Sequence, residues 1–149
     1  MTSISLAAME VKYLNQKEFG VKVAPFSKYI KKLTEAVDVQ DGVLNVVFVN
    51  DKYIRALNKA YRDKDEPTDV LSFEYGPDDL IGEVYVSVET AGRQAIELKH
   101  SLGDELIRLV VHGILHIHGY DHEKEEDYKR MSAVERKVLG AIFWTVLPW

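Results

Sequence analysis

Hydrophobic and polar positions change period along this chain, and each change marks an element. Met9 to Leu14 reads as a strand, Phe26 to Val37 as a helix opened by Pro25, and Val43 to Asn50, rich in Val and Phe, as a second strand. Asp51 to Tyr61 returns to helical spacing. Asp69 to Tyr75 and Leu80 to Val88 predict two more strands, since Val84, Val86 and Val88 alternate with Glu83, Tyr85 and Ser87. Gly76-Pro77-Asp78-Asp79 between them is turn chemistry and predicts a hairpin. Beyond Val88 the period is helical, giving Glu89 to Lys99, Leu102 to His118, and a last helix from Lys124 to Ile142. Strands come early and helices late, and no repeat or linker divides them. The expectation is one α+β domain over residues 1–149, a small mixed four-stranded sheet covered by about five helices.

The helix Leu102 to His118 is apolar nearly all round, which predicts a central, buried position. Ser101 suits its N-cap with Asp104 three residues on, and Gly119 suits its C-terminal stop.

Composition narrows the chemistry. A chain of 149 residues buries enough surface to fold without a disulfide or a structural metal, so a functional role is the first expectation for any metal here. The absence of cysteine excludes a disulfide scaffold, a Cys-liganded zinc finger and a thiol nucleophile, and fits a reducing compartment. A formal charge of -5 argues against wholesale wrapping of nucleic acid but leaves room for a local basic surface. The longest apolar run, Leu139 to Trp149, is too short to span a bilayer, and Met1 to Ala8 lacks the features of a secretory signal. A cytoplasmic protein with no membrane partner is expected.

On the buried helix, His112 and His116 are four residues apart and project within about 40° of each other. They can share one ion. The turn Gly119-Tyr120-Asp121 can swing the chain back so that His122 supplies a third nitrogen. Three buried neutral imidazoles would otherwise each need a separate partner, whereas one divalent ion satisfies all of them. Three nitrogen ligands leave a tetrahedral ion one open position, the arrangement of a catalytic zinc site, although other transition metals bind such a set. His118 lies about 240° round the helix from His112 and should point away, and His100 reads as a surface or capping residue. Glu105 is only about 20° off the face of His112, where it could orient an imidazole, accept a proton, or serve as an ordinary helix-start carboxylate.

The helix Asp51 to Tyr61 places Lys52, Arg55 and Lys59 on one side, with Arg62 continuing the turn, and Tyr53, Ile54, Leu57, Ala60 and Tyr61 on the other. Such a stripe is either a solvated face or a contact for an anionic partner. Arg62 opens a polar loop leading into the strand Val70-Leu71-Ser72-Phe73, where a guanidinium could hold phosphate oxygens bidentately.

The stretch His112-Gly-Ile-Leu-His116-Ile-His-Gly119-Tyr-Asp-His122, with Leu57-Asn58-Lys59-Ala60-Tyr61-Arg62, Thr68-Asp69-Val70-Leu71-Ser72-Phe73 and Gly82-Glu83-Val84, closely resembles the bacterial YbeY family of rRNA maturation endoribonucleases. The resemblance implies a cytoplasmic, single-strand-specific metallo-endoribonuclease acting in maturation of the 3′ end of 16S rRNA and in late ribosome quality control. It implies His112, His116 and His122 as zinc ligands, Arg62 as the functionally important arginine, and the small ribosomal subunit and its RNA as partners. Oligomeric state is left open.

Two other readings stand beside it. The spacing H-x3-H-x2-G-x2-H also resembles the metzincin peptidase signature, but Gly113 stands where that family has its Glu general base, and Met131 lies in a predicted helix too near the ligands to form its Met-turn. This leaves a peptidase or other metal-dependent hydrolase as an alternative. The other is a ribosome-associated binding factor whose metal only holds the turn Gly119 to His122 in place.

Overall fold

The computed structural model describes residues 8–76 and 79–144. Positions 77 and 78 of the predicted turn, most of the amino-terminal segment (1–7) and the tail of the apolar run (145–149) lie outside the described residues. The element order is β1(Met9–Leu14), α1(Phe26–Ala36), β2(Gly42–Val49), α2(Asp51–Arg62), β3(Val70–Glu74), β4(Leu80–Ser87), α3(Val88–Leu98), α4(Leu102–Ile117), α5(Glu125–Leu139) and α6(Ala141–Trp144). Four strands form one mixed sheet in the order β1-β2-β4-β3. β1 and β4 flank β2 in parallel, and β3 returns antiparallel to β4, as the predicted hairpin requires.

The two faces of the sheet are covered unequally. On one, Leu44, Val46, Phe48, Val84 and Val86 meet α1, α4 and α5 in the main core. On the other, Val47, Val49 and Leu71 meet only α2, through Ile54 and Leu57. Being covered on both faces, β2 ends in four consecutive buried residues and not in alternation.

α4 lies at the centre, with twelve of its residues buried. Its approach to the sheet depends on two glycines. A Cβ on Gly113 would stand 2.6 Å from Cγ1 of Val84, and one on Gly82 would stand 2.7 Å from the Phe73 carbonyl and 2.8 Å from Cδ1 of Ile117. Separations that short are repulsive, so both positions must lack a side chain for the helix to sit where it does. The Ser72 hydroxyl then donates to the Gly113 carbonyl at 2.9 Å, tying α4 to β3.

Several expectations are corrected. The predicted last helix breaks at Gly140, whose φ of 56° closes α5 before the short α6 begins. α1 opens after Pro25 as expected and ends at Ala36, one residue before the predicted Val37, which takes an extended conformation as the C-cap. The predicted apolar side of α2 is too wide, because Tyr53 is 51% and Tyr61 is 69% exposed, and Ala60 is exposed as well. One helix laid over a sheet buries a narrow stripe, here Ile54 and Asn58. Tyr53 instead stacks on Tyr85, and Tyr61 meets Phe73 edge-on. Among the described residues no helix is long and apolar enough to cross a membrane.

Candidate metal centre

The third ligand position depends on how α4 ends. The Gly119 N–H donates to the His116 carbonyl and the Tyr120 N–H to the Leu115 carbonyl, while Gly119 takes φ +92°, a conformation that other residues rarely adopt. The chain therefore reverses at once. Asp121 Oδ1 accepts from the Glu123 N–H at 3.2 Å, which holds His122 at the middle of a tight loop over the helix end.

The three imidazoles meet there. One nitrogen from each of His112, His116 and His122 lies within 4.8 Å of the other two. Nε2 of His116 is 3.0 Å from Nε2 of His112, and the His122 ring centroid is 5.1 Å from that of His112. Nitrogens bound to one tetrahedral zinc at about 2.0–2.1 Å would be about 3.3 Å apart, so this donor set suits a single ion. Burial, followed by the like charges of His112 and His122, pulls the His116 pKa down to about 4, and so it is neutral at neutral pH, as a ligand must be.

A cavity of about 650 Å³ opens on these rings. Its walls are α4 through Arg108 and His112, β3 through Val70 and Ser72, and the loop carrying Asp121 and His122. Arg62 closes it from the end of α2. The loop behind Arg62 is built by Asn58, whose buried side-chain amide N–H donates to the Glu66 carbonyl at 2.9 Å while the backbone carbonyl of Asn58 accepts from the Lys64 N–H. Arg55 braces the same loop through Asp65 at 2.8 Å. Lys52 and Lys59 are exposed on α2, away from the cavity lining.

His118 behaves as its helical position predicts. Its Nδ1 meets the Ile114 carbonyl at 2.9 Å and its Nε2 accepts from the Gln40 N–H, so it joins α4 to the segment before β2. His100 is not a surface residue. Its side chain is buried, with Nε2 2.8 Å from Oε1 of Glu105.

Glu105 is fully enclosed. Its carboxylate accepts from Gln94 Nε2 and from Nε and Nη2 of Arg108, besides meeting His100. Burial alone would raise its pKa, but the bonds and charge of Arg108, with those of Gln94 and His100, outweigh that and hold the carboxyl below its usual range. Arg108, not Glu105, reaches the cavity wall. The carboxylate that touches a cluster imidazole belongs to α5, where Glu135 Oε2 lies 3.3 Å from Nδ1 of His112. Sequence reasoning missed both Arg108 and Glu135. The available signal was a charged residue inside a buried stripe, since Glu135 is spaced with Met131, Ser132, Val138 and Leu139 on the inward face of α5.

Comparison with known proteins gives a consistent picture. The family model described as Endoribonuclease YbeY matches residues 11–142. A protein named Endoribonuclease YbeY from Aquifex aeolicus is 44% identical over 131 residues, covering 85% of this chain and 87% of that protein. One of the same name from the Aster yellows witches'-broom phytoplasma is 37% identical over 141 residues, covering 90% and 94%. The solution structure of TM1509 from Thermotoga maritima superposes with a TM-score of 0.58 at 28% identity, covering 87% of this chain and 89% of that one.

Proposed function

Because the chain belongs to the Endoribonuclease YbeY family, we propose that it is a single-strand-specific metallo-endoribonuclease whose site is formed by His112, His116, His122 and Arg62. The observation that carries this reading is the opening of one cavity onto three convergent imidazoles with an arginine at its rim. Zinc suits three neutral nitrogens with one position left open, and nickel, copper, cobalt or iron would bind the same set. An ion held there supplies Lewis acidity to a phosphate oxygen and lowers the pKa of water toward about 7.

The chain's own groups do the rest. Arg62 has a planar fork of donors matched to phosphate oxygens, and it stabilises the charge that gathers on them as the phosphodiester is cleaved. It sits at the end of a helix whose following loop is fixed by Asn58 and Arg55, so its backbone is held beside the cavity. Glu105 acts through Arg108, holding that guanidinium at the cavity wall. Lys52 and Lys59 lie on the exposed side of α2, and with Arg55 they would draw in the RNA backbone beyond the scissile bond. The family resemblance extends the proposal to small-subunit ribosomal RNA, its 3′-end maturation and quality control, in the cytoplasm. Peptide hydrolysis by a metzincin route is disfavoured, since Gly113 cannot take a proton and the packing there admits no side chain.

Replacing His112 and His116 together by Ala is expected to abolish stoichiometric metal binding and cleavage of single-stranded RNA in nuclease-free protein. Cleavage retained at the wild-type rate defeats the proposal. Arg62→Ala should leave the metal bound and cut turnover by about 100-fold, the scale seen when one preorganised donor is removed. Metal loss in that variant would move Arg62 to a structural role.

A further inference from the structure

We propose that Glu135 is a positioning residue for the metal centre, fixing the ring of His112 so that Nε2, and not Nδ1, faces the ion. The inference rests on the metal reading of the three histidines and adds to it a group from a different helix. Glu135 Oε2 stands 3.3 Å from Nδ1 of His112, while the opposite nitrogen of that ring, Nε2, lies 3.0 Å from Nε2 of His116. The two sides of the imidazole thus have separate duties. An ionised carboxylate only accepts hydrogen bonds, so the neutral ring keeps its hydrogen on Nδ1 and presents a lone pair at Nε2.

Burial makes the arrangement specific. The Glu135 side chain is 3% exposed and that of His112 is 9% exposed, so neither has ready exchange with water as an alternative. A carboxylate in the apolar stripe of α5 is costly unless it is bonded, and a residue whose only task was to pack α5 on α4 would be served better by Leu. Glu135 does not belong to the group of atoms that can close on one ion, which places it behind the ligand and not beside it. Carboxylates in that place orient the ligand and raise its basicity, and their loss typically costs 10–100-fold in metal affinity.

The test compares zinc affinity of the full-length wild type, Glu135→Gln and Glu135→Leu by competition with a chromophoric chelator. Each variant's metal-free melting temperature is recorded alongside. Glu135→Leu should bind zinc about 10–100-fold more weakly while keeping its fold, and Glu135→Gln, which retains an acceptor oxygen, should recover part of that loss. Long-range proton–nitrogen correlation spectra of zinc-loaded wild type need no variant to fold, and they should show the His112 hydrogen on Nδ1. Affinities within twofold of wild type in both variants, or a hydrogen on Nε2 of His112, overturn the proposal. A wild type that takes up no zinc would instead sink the metal reading and this inference with it.

Discussion

At the scale of single residues, the centre is backed by a buried ion pair as well as by its three histidines. Glu105 is 0% exposed and Arg108 is 5% exposed, and they neutralise each other within the two turns before His112. Removing one member of such a pair leaves the other uncompensated, at a cost of about 3–5 kcal/mol, so Glu105→Gln should be that much less stable at neutral pH. The sign of its pH dependence follows from its lowered pKa. As pH falls, the unfolded chain takes up the proton first, and so the stability Glu105 provides is complete above its ordinary 4.5 and is lost as pH drops through the folded value. Denaturant titrations between pH 7 and pH 3 should show the gap between wild type and Glu105→Gln closing with acidification. A gap independent of pH would mean that the carboxylate is not ionised in the fold.

At the scale of elements, α4 combines two requirements, a fixed distance from the sheet and two imidazoles on one side. Gly113→Ala tests the first. Its methyl would meet Val84 and Ser72 in a packed core, and overpacking of that kind costs about 1–3 kcal/mol, which thermal unfolding would register. An unchanged midpoint would show that the helix has slack. His112, His116 and the reversal at Gly119 were legible because helix pitch and glycine turns are local properties, carried within a dozen residues. Gly113 was read only as the lack of a base, since its real constraint comes from strands about 30 or more residues earlier. Glu135 lies 23 positions from its partner, and nothing short of the packing of α5 on α4 brings them together. The inward stripe of α2 was drawn too wide because periodicity does not reveal how much of a sheet one helix covers. Asn58 was overlooked because a buried amide serves a loop that closes only in three dimensions.

At the scale of the molecule, strand order decides what the site can reach. β3 is an edge strand, and it forms one wall of the cavity while Arg62 arrives from the helix on the opposite face of the sheet. Two layers thus contribute to a single site, an arrangement that no single segment of sequence encodes. Metal binding should stabilise the whole fold, because its ligands converge only when α4 and the loop beyond it are formed. With free zinc at about 100 times its dissociation constant, the gain is about 2.7 kcal/mol, or about 5–10 °C in melting temperature. Scanning calorimetry should record this for wild type and not for the His112→Ala, His116→Ala double variant, and an equal rise in both would assign the metal to another site.

The contact of Gly113 with the strands also bears on how this scaffold could diversify. Its histidine spacing matches that of a protein-cutting lineage, yet the acid that lineage uses has no volume to occupy here. Admitting it would require α4 to lift off the sheet, and α4 carries two of the three histidines that could hold the metal the acid would serve. Any single codon change toward that chemistry would therefore damage the centre it was meant to equip, and an evolutionary or engineered route between the two activities would have to rebuild the seat of the helix first.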